Sequence, residues 1–185
     1  MFRTRLALGG IALVCLTASA GAQSIAPLRF GVALGTAFGD QEWWWPDGGH
    51  AALSLSSQQP GSRFGLRVEA MVDYNTTGSS GPDGRSSVAQ HRALSLTING
   101  TYRLLGRNSG LYAIGGLGIY QHWSEVQNDD IRSSPEVRTF NSATLGANLG
   151  LGFNFTAFGR EMFVESRLHS AGFGDRVPLS LGIRF

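Results

Sequence analysis

Between Ser142 and Phe155 the chain reads SATLGANLGLGFNF, and its residues sort by parity into two unlike sets. Ala143, Leu145, Ala147, Leu149, Leu151, Phe153 and Phe155 form one set. Thr144, Gly146, Asn148, Gly150, Gly152 and Asn154 form the other. A helix would mix the two sets, whereas an extended strand sends successive side chains to opposite faces and keeps them apart. The same alternation predicts eight strands, at about Leu28–Phe38, His50–Ser57, Arg63–Tyr74, His91–Arg103, Leu111–Trp123, Ser142–Phe155, Glu161–His169 and Val177–Phe185. The second is the weakest, with only Ala51, Leu53 and Leu55 on its apolar face.

The connections between these segments alternate in length. GDQEWWWPDGG, NTTGSSGPDGRSSVAQ and SEVQNDDIRSSPEVRTF are long; QQPGS, LGRNSG and TAFGR are short, and SAGFGDR is intermediate. Short turns at one end and long loops at the other are the habit of an up-and-down outer-membrane barrel. The predicted fold is therefore all-β: an eight-stranded antiparallel up-and-down transmembrane β-barrel, with both termini on the periplasmic side.

Alternation does not say which face is inside, because a soluble barrel of lipocalin type alternates too. The glycines decide. Gly31, Gly35, Gly65, Gly116, Gly118, Gly146, Gly150, Gly152 and Gly182 share the polar face, where a narrow closed bore needs recesses for large neighbours. Arg29, Arg67, Met71, Arg103, Tyr112, Tyr120, Phe163, Arg167 and Arg184 lie on that same face. The other face carries Phe30, Val32, Leu34, Leu66, Val68, Leu94, Leu96, Ile98, Leu117, Ile119, Val164 and Leu168, with no charge at mid-strand. An Arg there would cost roughly 2–4 kcal/mol at the bilayer midplane. The apolar face is read as lipid-facing, and closure removes the edge amides that lipid does not tolerate.

Residues 1–22 read as a secretory signal peptide: Arg3 and Arg5, an apolar core from Leu6 to Leu16, and small residues up to Ala22. The mature domain is then 23–185. Departure of the leader removes the single cysteine, Cys15, and leaves thirteen arginines against thirteen acids. A near-neutral chain without a disulfide framework gives no support to nucleic-acid binding. The expected location is the outer membrane of a Gram-negative type of cell, as a monomer.

The chain ends PLSLGIRF. Leu179, Leu181, Ile183 and Phe185 alternate with small and polar residues, and this ending resembles the C-terminal signal read by the bacterial barrel-assembly machinery. GLRVEA (Gly65 to Ala70), LSLTINGTYRL (Leu94 to Leu104), LYAIGGLGIY (Leu111 to Tyr120), FVESRLH (Phe163 to His169) and VPLSLGIRF resemble the outer-membrane-protein beta-barrel domain family of small eight-stranded barrels. The resemblance covers nearly all of the mature chain. It implies the fold, the outer-membrane location, and passage by periplasmic chaperones and the assembly machinery. It implies little about activity, since the family spans adhesion, envelope stability and other roles, and no family catalytic motif is matched.

Several groups are candidates for chemistry. Arg29, Arg67, Glu69, Asp73, Arg103, Glu161, Glu165, Arg167 and Arg184 are all predicted to face the lumen, as a plug of paired charges. His50, His91, His122 and His169 fall at strand ends on the long-loop side and point into the mouth, at spacings that match no compact metal motif. Trp43, Trp44 and Trp45 form either part of an interfacial aromatic girdle or an exposed loop for a surface partner or lipopolysaccharide. His169-Ser170 is the pair a lipid-deacylating enzyme would use, but adjacent strand residues diverge. The expected function is non-catalytic, in envelope structure or surface interaction through the outer loops, with no cofactor and no metal. The alternatives are passage of small hydrophobic solutes and a lipid-modifying activity.

Overall fold

The computed structural model describes residues 26–38, 48–80, 86–106, 109–129, 136–172 and 174–185. The predicted signal peptide and Trp43, Trp44 and Trp45 lie outside the described residues. Eight strands follow in chain order: β1 Leu28–Phe38, β2 Gly48–Gln58, β3 Phe64–Ser80, β4 Ser86–Arg103, β5 Gly110–Asp129, β6 Glu136–Ala157, β7 Arg160–Ala171 and β8 Gly174–Arg184. Each pairs antiparallel with the next, and β8 returns to β1 to close the cylinder. PLSLGIRF makes that closure: Leu181 lies opposite Leu34, Ile183 opposite Val32.

The strands come in two heights. β1, β2, β7 and β8 have 11, 11, 12 and 11 residues, close to the 9–11 or so that a tilted strand needs to cross a bilayer. β3 to β6 have 17, 18, 20 and 22. The sequence predicts two long loops here, yet the ladder continues through most of both. β3 and β4 pair as far as Ser80 opposite Ser86, and β5 and β6 as far as Asn128 opposite Glu136. The polar segments NTTGSS and EVRTFN hide this, because a strand with no lipid on one side and no packed bore on the other is under no pressure to alternate. The result is a four-stranded sheet rising above one half of the barrel.

At the other end the connections are tight. Ala157 pairs with Arg160, leaving Phe158 and Gly159 as a two-residue turn at φ 52° and 70°. Left-handed conformation at both positions is the type I′ geometry that matches strand twist. Both described chain ends lie at this end, which is called the turn end below; the other is the tall end.

The faces sort as parity requires. Leu34, Leu66, Ile98, Leu117, Leu149 and Leu181 are exposed around the outside, Leu117 by 70% and Leu149 by 69%. Met71, Ile114, Phe163, Tyr112 and Tyr120 are buried in the bore. The glycine recesses are occupied. A Cβ at Gly182 would overlap the Phe163 ring, one at Gly152 the Tyr112 ring, and one at Gly146 would sit 2.8 Å from Tyr120. Gly116 lies between Asn99 and Asn148 in one cross-strand row, so the two amides meet over it: Asn148 Nδ2 donates to Asn99 Oδ1 at 2.8 Å.

Candidate functional site

At mid-height the bore is filled by four charges from two strands. β3 supplies Arg67 and then Glu69; β7, half-way round the eight-strand cylinder, supplies Glu165 and then Arg167. Both strands run in the same direction, so Arg67 meets Glu165 at one level and Glu69 meets Arg167 at the next. Arg67 Nη1 is 2.8 Å from Glu165 Oε2, Arg167 Nε is 2.9 Å from Glu165 Oε1, and Arg167 pairs with Glu69. Arg67 and Glu69 of the same strand are 3.7 Å apart. All four side chains are at most 3% exposed. The Tyr112 hydroxyl donates to Glu165 at 2.5 Å, and Arg67 lies 5.4 Å over the Phe163 ring. Four mutually neutralising charges packed among aromatics fill the bore at this level. An eight-stranded barrel is just wide enough for its own side chains.

Of the remaining predicted lumen charges, three form a second group at the turn end. Glu161 accepts from Arg29 at 2.6 Å and from Arg184 at 2.7 Å, and Arg184 also donates to Asn154 at 2.9 Å. Arg103 lines the same space without an ion pair among the described residues. Asp73 is buried above the central quartet and likewise has no ion-pair contact among the described residues.

The histidines stand at the tall end of the bore, in two different settings. His50 and His169 are buried; His50 Nε2 lies 2.8 Å from Ser180 Oγ and His169 Nδ1 lies 3.0 Å from the Tyr120 hydroxyl. His91 and His122 are half-buried and stack with ring centroids 5.6 Å apart. Among the described residues no three His, Asp or Glu side chains converge as a metal-ligand set. His169 faces the bore and Ser170 faces out, so the two do not form a catalytic pair.

Two features of the outer surface were not legible in the sequence. One is a cross-strand row, Tyr74, Arg92, Trp123 and Asn141, on the outer face where the apolar belt gives way to polar residues. Arg92 lies 5.9 Å from the Tyr74 ring centroid, and Gln121 donates to Asn141. Arg92 and Trp123 line a groove of about 680 Å³ that also takes in Glu125 and Phe140. The other feature is an open edge. β6 pairs with β7 only from Gly146 onward, so among the described residues Glu136–Leu145 have a strand neighbour on one side alone.

The fold is that of the small eight-stranded outer-membrane barrels. A major outer-membrane protein from Thermus thermophilus superposes with a TM-score of 0.52 at 16% identity, over 86% of this chain and 100% of that one. Ail, the attachment invasion locus protein of Yersinia pestis, gives 0.50 at 14% identity, over 85% of this chain and 96% of its own. No family model and no curated protein sequence matches the chain.

Proposed function

We propose that the chain is a non-catalytic outer-membrane barrel that works at the cell surface through its tall sheet, by accepting an extended segment of a partner along the free edge of β6. The observation that carries this reading is the edge itself. Along it every second residue turns its N–H and C=O to the side on which no described strand pairs, and Glu136–Asn141, about 20 Å at strand rise, stand at or above the limit of the apolar belt. Such a row is a template for strand addition, in which main-chain hydrogen bonds give affinity and alternate side chains give selectivity. Phe140, 58% exposed, and Val137 supply apolar contact on the two faces of the edge. The filled mid-bore disfavours a transport role, and the divergence of His169 and Ser170 disfavours a lipid-modifying one. Ail, named for attachment and invasion, is a precedent for surface work on this fold.

On this reading the turn end and both termini face the periplasm, and residues 1–22 are removed on export. The Tyr74, Arg92 and Trp123 row sits among outer-membrane lipid and lipopolysaccharide. Leu179, Leu181, Ile183 and Phe185 are the part read by the assembly machinery, after periplasmic chaperones deliver a chain that works as a monomer. Orientation is tested by single-cysteine labelling, which is clean because Cys15 lies within the leader. Thr139→Cys is expected to react with an impermeant maleimide on intact cells, and Phe158→Cys only after the outer membrane is opened; the reverse pattern overturns the orientation. Strand addition is tested by panning a displayed peptide library against the purified barrel. Selected peptides should slow amide exchange along 137–145 and lose binding to Thr139→Pro. Peptides that bind wild type and the proline variant alike would sink the edge reading.

A further inference from the structure

The turn end of the bore has an electrostatic imbalance that the central quartet does not share. The quartet closes the bore above it, so the space below is a blind cup. Two hollows, of about 50 and about 130 Å³, make up this cup, and Arg29, Gln58, Arg103, Asn154 and Glu161 line both. Three guanidinium groups, of Arg29, Arg103 and Arg184, face a single carboxylate, that of Glu161. Arg29 and Arg184 already hold it at 2.6 and 2.7 Å. Arg103 is half-buried and its guanidinium has no ion-pair or hydrogen-bond partner among the described residues, and the buried Arg184 Nε has no acceptor. Around the rim stand Arg63 and Arg160, both exposed, and Glu161 is the only acidic side chain among the described residues of this end.

A guanidinium left unpaired on an open surface is ordinary. Here it stands in a concave site with low-dielectric walls, where a cluster of one sign concentrates counter-ions. Its planar fork matches a carboxylate or phosphate in bidentate fashion. The larger hollow, of about 130 Å³, has room for one such group. The barrel wall separates it from the lipid-facing surface, so its occupant comes from water.

We propose that this cup is a binding site for one oxyanion group, a phosphate or a carboxylate on a small soluble molecule, held by Arg103 with Arg29 beside it. On the orientation proposed above the cup opens to the periplasm, but the binding itself does not require that orientation. It is tested with the refolded mature barrel in a maltoside micelle, which carries no phosphate, by following the arginine Nε–H resonances. Inorganic phosphate and acetate are titrated against chloride at matched ionic strength. The Arg103 resonance should shift and saturate with phosphate or acetate at a dissociation constant on the order of 1 mM, at least about tenfold tighter than any response to chloride. Arg103→Gln should abolish saturation at Arg29 while leaving the backbone spectrum of the barrel intact, and Arg63→Gln should leave binding unchanged. A shift that never saturates, that chloride reproduces, or that survives Arg103→Gln overturns the site. So does a shift that appears without added anion in phosphatidylglycerol nanodiscs and not in phosphatidylcholine ones, which would assign the contact to a lipid headgroup. None of these outcomes bears on the cysteine labelling that tests orientation.

Discussion

The belt of the barrel and the sheet that rises above it use one hydrogen-bonded ladder and owe their order to different things. In the belt every side chain is constrained on its own face. Leu149 looks into lipid; Gly152 makes way for Tyr112; Arg67 meets Glu165 across the bore. In the tall sheet, β3 to β6 continue through NTTGSS and EVRTFN with neither a packed interior nor hydrocarbon to answer to. The backbone ladder alone suffices there once the belt has fixed the register.

Substitutions can break this contrast, and the largest effect belongs to the quartet. Glu165→Ala would leave Arg67 and Arg167 buried with one carboxylate between them. Breaking a buried pair costs about 3–5 kcal/mol, read as a lowered free energy of unfolding in urea from lipid vesicles. Next is Leu149→Arg, which puts a charge on the outer face near mid-belt. A loss of roughly 2–4 kcal/mol is expected in the same assay, and a neutral result would mean that this face does not meet lipid. Gly152→Val forces a side chain into the Tyr112 ring and should cost about 1–3 kcal/mol by overpacking, with loss of the Tyr112 to Glu165 hydrogen bond visible in the spectrum. Smallest is Phe140→Ser in the tall sheet. Its stability should stay within about 0.5 kcal/mol of wild type, although it lies on the proposed docking edge. A large destabilisation there would erase the distinction between the two halves.

The sequence announces the belt because the belt must be two-faced. SATLGANLGLGFNF sorts by parity since each of its residues meets either lipid or bore, and the glycines fall where large residues of neighbouring strands need room. Arg67, Glu69, Glu165 and Arg167 were legible as lumen residues for the same reason. Their pairing was not, because which strand lies across the bore is known only once the cylinder closes. The upper rows of β3 to β6 left no trace in the pattern, since a strand wetted on both sides shows no alternation. Arg103 looks in the sequence like any other bore arginine; only the geometry shows that Glu161 is already taken by Arg29 and Arg184.

The apposition of β3 and β7 also bears on how the molecule is made. Each of these strands carries one cation and one anion of the quartet, and the pairs across the bore, Arg67 with Glu165 and Arg167 with Glu69, form only when the first and last strands have met. A partly assembled sheet offers incompletely paired ions to any hydrocarbon it touches, and water is the better host for them. Completion of the ring and entry into the bilayer are thereby tied into one event, so an unfinished barrel is kept out by its own contents.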